Sequence, residues 1–135
     1  MIEQKFLTLS AKTKGFHLIT SEVLKGLSLP KTGILQVFIK HTSAGLAINE
    51  NADPTVRADL DKSFDVLAPE NQKFYQHTVE GPDDMPAHVK SILTGSTVSI
   101  PITDGKLNLG TWQGIYLCEF RAAATPRSLV VTIFS

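Results

Sequence analysis

Three histidines with acidic neighbours are the residues of this sequence best suited to chemistry. His41 ends a β-branched run, His77 lies in an aperiodic segment, and His88 falls in a helical pattern that turns its ring inward. Three such imidazoles can hold a divalent metal and leave one coordination position open for water or substrate. Their spacing matches no compact metal motif, and a lone histidine is more often a hydrogen-bonded core residue, so both interpretations stay open. His17 has no acidic or histidine neighbour, and we interpret it as structural.

Acidic residues precede both helices predicted for the middle of the chain. Glu50 and Asp53 come before the first helix, and Glu80, Asp83 and Asp84 come before the second. Asp53 and Asp84 are suitable N-caps, and capping alone would explain both of them. A carboxylate beside a ligating histidine can instead fix its tautomer or act as a general base. Glu50, Glu80 and Asp84 are therefore the candidate catalytic residues.

One predicted strand carries a cysteine and an acid–base pair. Alternation along it places Cys118 on the face of two aromatic residues and Glu119 with Arg121 on the other face. Cys118 is then an inert core thiol. Glu119 and Arg121 form either a surface ion pair of small energetic value or a pair in which Arg121, with Arg127, is free to hold phosphate.

The single tryptophan stands in a glycine-bounded segment, Gly110–Gly114. Trp112 can pack over a turn or form the lip of a ligand site. The phosphate-binding patterns G-x-x-x-x-G-K-[ST] and G-x-G-x-x-G do not occur. The pattern G-x-S-x-G is also missing, so Ser43 has no nucleophile elbow.

Length and composition predict one domain, residues 1–135, of neutral overall charge. Thirteen basic residues balance thirteen acidic ones, which gives no net field for nucleic acid or an anionic membrane. Cys118 is the only cysteine, so no intrachain disulfide is available, and the N-terminal residues have no long apolar segment. We expect a cytoplasmic protein whose partner is a small molecule.

The hydrophobic pattern predicts an α+β fold in which antiparallel or mixed sheets carry two to three helices. Asp53-Pro54 starts one helix, along which Val56, Leu60, Phe64 and Leu67 recur at helical spacing. Residues 68–84 are irregular, and a loop of this length is often functional. A second helix ends at Gly95 with a stripe of Met85, Val89, Ile92 and Leu93, and a short one covers Ser21–Gly26. Strands are predicted at Gln4–Ser10, Ile34–Lys40, Gly45–Asn49, Thr97–Ile102, Ile115–Arg121 and Ser128–Phe134, with a hairpin turn at Asp104-Gly105.

Four motifs, in order along the chain, resemble those of the YjbQ-like family. They are His41-Thr42-Ser43-Ala44, Asn49-Glu50-Asn51-Ala52-Asp53-Pro54, His77 followed by the run from Glu80 to His88, and Leu109-Gly110-Thr111-Trp112-Gln113-Gly114-Ile115.

The resemblance implies a small α+β fold that forms a homotrimer. It also implies a cleft near the subunit contacts, where His41, His77 and His88 hold a divalent metal with zinc as the expected ion. On the same grounds the substrate-binding residues would be Thr42, Ser43, Asn51, Trp112, Gln113 and Arg121.

The activity implied by the resemblance is that of a secondary thiamine-phosphate synthase. Such an enzyme joins hydroxymethylpyrimidine diphosphate to thiazole phosphate and releases pyrophosphate. Two other interpretations remain open: a non-catalytic oligomer that binds a metal or a metabolite, and a simple hydrolase with Glu80 as its base.

Overall fold

The computed structural model describes residues 1–135 and has an α+β fold of two antiparallel sheets and three helices. The helices are α1 Thr20–Leu24, α2 Pro54–Leu67 and α3 Asp84–Thr94. The strands are β1 Ile2–Leu9, β2 Gly15–Leu18, β3 Thr32–Ile39, β4 Ala44–Glu50, β5 Thr97–Thr103, β6 Lys106–Leu107, β7 Gln113–Glu119 and β8 Arg127–Phe134. None of the helices is both long and apolar enough to cross a membrane.

The two sheets and the helices form three layers. The five-stranded sheet has the order β1-β8-β3-β5-β6, and the three-stranded sheet has the order β2-β7-β4. Side chains from the facing sides of the two sheets make the main core, which includes Leu35, Leu117 and Val131. The other side of the three-stranded sheet packs Tyr116 and Cys118 against α2 and α3 in a second core. Because the small sheet is the middle layer, both of its faces are buried.

Local sequence signals determine several element boundaries. The Asp53 carboxylate accepts a hydrogen bond from the Thr55 amide at 2.9 Å, so Asp53 caps α2 as predicted. Asp104 and Gly105 both have positive φ, 52° and 77°, as a type I′ turn between β5 and β6 requires. Residues 68–83 contain no helix or strand, in agreement with the predicted irregular segment.

The stripe predicted for α3 is only partly buried, with Met85 and Val89 half-buried. Ile92 and Leu93 are exposed, and the helix instead buries Pro86, Ala87 and Lys90. The cause is the close approach of α3 to the middle sheet. A Cβ atom on Gly45 of β4 would lie 1.9 Å from the Thr94 hydroxyl oxygen, and the Ser91 hydroxyl donates to the Ala44 carbonyl, so α3 places these two small side chains against β4.

Two further expectations need correction. Residues 15–18 form the edge strand β2, which was not predicted because four residues show too little alternation. Asp84 does not cap α3: Asp83 occupies the cap position, and neither aspartate makes a side-chain cap bond. The Asp84 carboxylate is directed at the histidines instead.

Candidate metal centre

His77, Asp84 and His88 meet where the irregular segment enters α3. Asp84 and His88 are separated by one helical turn, so both side chains project from one face of α3. His77 Nε2 lies 2.6 Å from Asp84 Oδ2, and His88 Nε2 lies 3.1 Å from the same oxygen. The three ligand atoms are all within 4.8 Å of one another. The Glu80 carboxylate approaches His77 Nε2 at 3.5 Å, which makes it a fourth polar group at the centre.

The backbone carbonyl of Thr42 fixes the tautomer of His88. It lies 2.9 Å from His88 Nδ1, and a carbonyl can only accept, so Nδ1 carries the proton. In the neutral ring, Nε2 then presents a lone pair to an oxygen of the Asp84 carboxylate. Two lone pairs at 3.1 Å repel each other, so this contact requires a positive charge, either a second proton on His88 or a bound cation.

Asp84 is a buried carboxylate that is held from two sides. Its side chain is 3 % exposed, and its Oδ1 accepts a charged hydrogen bond from Arg121 while its Oδ2 faces the histidines. Burial acts to raise the pKa of Asp84, but the hydrogen bonds with His77 and Glu80 and then the charge of Arg121 outweigh it and lower the pKa from 3.8 to about 2. Asp84 is therefore an anion at neutral pH, which is the state that a metal ligand needs.

Arg121 anchors the acidic segment, and each of its three side-chain nitrogens donates one hydrogen bond inside the protein. Its Nε donates to Asp83 at 3.0 Å, Nη1 donates to Asp84, and Nη2 donates to the Glu80 carbonyl at 3.0 Å. These bonds tie the end of β7 to the start of α3 and aim Asp84 at the histidines. In this geometry Arg121 positions a carboxylate. The role of phosphate ligand that the strand pattern left open for it stays a prediction, as does the substrate-binding role implied by the resemblance.

Glu119 is not part of a surface ion pair. It is fully buried between the two sheets, and its carboxylate pairs with Arg127 of β8, which is 4 % exposed. Arg127 also donates to the hydroxyl and carbonyl oxygens of Ser43. The pair was not predicted from the strand pattern, because alternation shows that Glu119 and Leu117 share a face but not that this face is the core. Arg127, like Arg121, is occupied by a carboxylate.

His41 lies outside the three-residue cluster. Its Nε2 accepts a hydrogen bond of 2.8 Å from the Ser128 amide. Ser128 is the residue next to Leu129, which forms the last β3–β8 pair with Ile39. His41 shares a cleft with Thr42 and His88, so it is near the centre without being one of the groups that meet at Asp84. Its assignment as a metal ligand stays a prediction.

The remaining candidate residues gather at the opposite end of β4. The Asn51 side chain donates to the carbonyls of Thr111 and Gln113, each at 3.1 Å, and the Glu50 carboxylate accepts from the Asp53 amide. Trp112 is 64 % exposed at the tip of this turn. β4 places this group about 20 Å from Thr42, at about 3.3 Å per residue.

Comparison with known proteins agrees with the sequence motifs. The family described as UPF0047 protein YjbQ-like matches residues 5–135, which include every candidate site residue. The chain belongs to the YjbQ-like family. It is 48 % identical to UPF0047 protein YjbQ of Salmonella typhimurium, with 96 % of both chains covered. It is 44 % identical to UPF0047 protein sll1880 of Synechocystis, with 96 % of this chain and 90 % of that one covered.

Solved structures of two similar proteins share the fold. A conserved yjbq/upf0047 family protein of Clostridium acetobutylicum superposes with a TM-score of 0.84 at 40 % identity, covering 96 % of this chain and 99 % of that one. The conserved hypothetical protein TT1486 of Thermus thermophilus also gives a TM-score of 0.84, at 37 % identity, with 94 % and 97 % covered.

Proposed function

We propose that this YjbQ-like protein binds a divalent metal at His77, Asp84 and His88, with zinc as the first candidate, and acts there as a transferase on a small phosphorylated molecule. The observation that carries the proposal is the meeting of His77 and His88 at the buried carboxylate of Asp84, with all three ligand atoms within 4.8 Å of one another. A cation placed among the three groups would supply the positive charge that the contact between His88 Nε2 and Asp84 requires.

The donor set fits such a metal. Two imidazole nitrogens and one carboxylate form a three-ligand set that zinc enzymes use while leaving a position for substrate. The Thr42 carbonyl and Arg121 hold His88 and Asp84 in orientation, as outer groups do around metal ligands. A bound divalent ion would supply electrophilic stabilisation of a phosphoryl oxygen. Glu80, largely exposed beside His77, is placed to accept or deliver a proton.

The reaction that we propose is the one implied by family resemblance, the joining of hydroxymethylpyrimidine diphosphate to thiazole phosphate with release of pyrophosphate. The site's own cations support only slow catalysis, because Arg121 and Arg127 are paired with carboxylates. The same pairing favours the second candidate function, a non-catalytic oligomer that binds a metal or a metabolite. A hydrolase with Glu80 as base is the third candidate.

Metal content tests the centre directly. Wild-type protein reloaded with zinc and desalted should hold about one zinc per chain by mass spectrometry. His77→Ala, His88→Ala and Asp84→Asn should each lose most of it. His17→Ala is the matched control, because the His17 ring hydrogen-bonds to the Thr13 carbonyl and not to the centre, so its loss should leave zinc content unchanged. Equal zinc in all five proteins would refute the site.

Product analysis separates the three candidate functions. Zinc-loaded protein incubated with both precursors should form thiamine phosphate and pyrophosphate above a heat-inactivated control, and Asp84→Asn should not. Binding of a precursor without turnover would support the non-catalytic protein. Phosphate released from one precursor alone would support the hydrolase.

We further propose that the chain assembles as a trimer through the outer face of the five-stranded sheet. No helix covers this face, and the strand register places Phe6, Val130 and Phe38 side by side, with Phe134 and Ile34 on the same face beyond the polar row of Gln4, Thr132 and Gln36. Phe6 is 78 % exposed, and an apolar patch of this kind marks an interaction surface. Light scattering should give three times the chain mass. Phe38→Asp should give a monomer, and Lys62→Asp on exposed α2 should not.

We also propose a reducing compartment, the cytoplasm, as the location. Cys118 is a buried free thiol with no partner for a disulfide. Fractionation of cells with an antibody to the chain checks the location.

A further inference from the structure

His41 closes the hydrogen-bond ladder where β3 ends. The Lys40 amide donates to the Ser128 carbonyl at 3.1 Å, and the Ser128 amide donates back to His41 Nε2 at 2.8 Å. A backbone amide can only donate, so Nε2 is unprotonated and the ring proton is on Nδ1. The fold therefore gives His41 one tautomer. In this tautomer Nδ1 has no lone pair with which to bind a metal.

The Nδ1–H group of His41 is free for a ligand. No protein atom accepts a hydrogen bond from it, and no buried side-chain nitrogen or oxygen in the structure lacks a partner, so Nδ1 is accessible. The ring borders a cleft of about 380 Å³ that is also lined by Thr42, His88, Ser91 and Ser96. This cleft therefore joins a fixed hydrogen-bond donor to a residue of the proposed metal centre.

The charges near His41 favour an anionic oxygen as the acceptor. Burial and then the positive charge of Arg127 hold the pKa of His41 below its usual range, Lys40 acts in the same direction, and Glu119 opposes them. Arg127 and Glu119 form an ion pair, so their opposite charges largely cancel at His41, and Lys40 is the remaining charge near the ring. His41 is therefore a neutral donor beside a net positive charge.

The C-terminal end of α3 also borders the cleft, and its dipole opposes an anion. Its last carbonyls are partly satisfied, because the Lys90 carbonyl accepts from the Thr94 hydroxyl and the Ser91 carbonyl accepts from the Gly95 amide. A hydrogen bond to a charged oxygen is stronger than this residual dipole effect.

We propose that the cleft between His41 and His88 binds a phosphate oxygen of the substrate, and that His41, held as the Nδ1–H tautomer by the Ser128 amide, donates the hydrogen bond to it. The phosphorylated class of ligand rests on the proposed function. The tautomer of His41 and its accessible Nδ1–H donor do not depend on the proposed function. His41 thus acts as a binding residue beside the metal centre and not as one of its ligands.

Two substitutions separate the donor from the structural contact. In His41→Gln the amide oxygen can replace Nε2 as acceptor for Ser128, but nothing replaces the Nδ1 donor. In His41→Asn the amide nitrogen occupies the place of Nδ1, and the contact with Ser128 is lost. His41→Gln should keep the wild-type melting temperature and lose phosphate affinity. His41→Asn should have a lower melting temperature and keep phosphate affinity.

The experiment uses zinc-loaded full-length protein and inorganic phosphate as the probe. Proton–nitrogen correlation spectra of the histidine rings should show His41 protonated on Nδ1, and phosphate should shift that signal. Phosphate affinity should fall at least about tenfold in His41→Gln, the loss expected for one hydrogen bond to a charged group. It should stay near wild type in His41→Asn, and both variants should keep zinc.

Three results would overturn the inference: protonation on Nε2, no response of the His41 ring to phosphate, or wild-type phosphate affinity in His41→Gln. Loss of zinc from both variants would also overturn it, because His41 would then be a ligand. Failure of the proposed function looks different, since wild-type protein would hold no zinc while the His41 signal still responded to phosphate.

Discussion

Removing the guanidinium of Arg127 should strongly destabilise the fold. Glu119 is fully buried, and Arg127 supplies two of the three hydrogen bonds to its carboxylate, one of them 2.7 Å long from Nε. The Arg121 amide, at 3.2 Å, would be the only remaining donor. Leaving a buried charge without its partner costs about 3–5 kcal/mol, a large part of the roughly 5–15 kcal/mol that stabilises a typical domain.

Urea unfolding followed by circular dichroism measures this cost. With a slope of about 1–3 kcal/mol per molar urea, Arg127→Met should lower the midpoint by about 2 M. The double variant Glu119→Leu/Arg127→Met removes both charges and should lose less stability than the sum of the two single variants. A cost below about 1 kcal/mol for Arg127→Met, or strict additivity in the cycle, would show that the buried pair is not an energetic unit.

The same substitution tests a link between the core and the site. Arg127 holds the hydroxyl and carbonyl of Ser43, and the adjacent Thr42 carbonyl fixes His88. At a urea concentration where Arg127→Met is still folded, its zinc affinity should be lower than that of wild type. Unchanged zinc affinity would show that Thr42 keeps its place without Arg127.

Three further predictions concern stability and reactivity. Gly45→Ala should lower the free energy of unfolding measured in urea by about 1–3 kcal/mol, because its Cβ would overlap the Thr94 hydroxyl oxygen. Wild-type stability would contradict the close packing of α3 on β4. Cys118 is fully buried and burial raises its pKa to about 12, so a thiol reagent should label it only in denaturant, and rapid labelling of the native protein would contradict this. Burial acts to raise the pKa of Asp65, but hydrogen bonds with Lys90 and Lys14 outweigh it and lower that pKa below 3.8. The contribution of Asp65 to stability is therefore present above about pH 4 and is lost as pH falls through the lowered pKa. The free energy of unfolding should then fall less steeply with decreasing pH in Asp65→Asn than in wild type. Equal pH dependence in the two proteins would contradict this.

Much of the fold follows from signals within a few residues. The alternation of Leu35, Val37 and Ile39 predicts the inward face of β3, and all three are buried. The cap at Asp53 and the turn at Asp104 are set by chemistry within one or two residues. Such features need no knowledge of which distant strands will pair.

The failures arise where the partner is distant in the chain. The face of α3 that packs inward is decided by Gly45 on another element, so helical periodicity alone favoured Ile92 and Leu93. The burial of Glu119 depends on Arg127 lying across the sheet interface. Which nitrogen of His41 is free depends on the Ser128 amide. No local pattern records these pairings.

The candidate substrate residues divide into two groups that one small molecule cannot touch within a single chain. Thr42, Ser43 and Arg121 lie beside the metal centre. Asn51, Trp112 and Gln113 lie at the far end of β4, about 20 Å away at about 3.3 Å per residue. A substrate role for the second group therefore requires a neighbouring subunit to bring it close. Within one chain, Asn51 and Gln113 already form hydrogen bonds that hold the turn. The Asn51 amide holds the carbonyls on both sides of Trp112, and the Gln113 side chain accepts from the Gly110 amide at 2.7 Å. These bonds account for an amide at position 51 and a glutamine at position 113 without any ligand, so that motif by itself is evidence for a rigid turn.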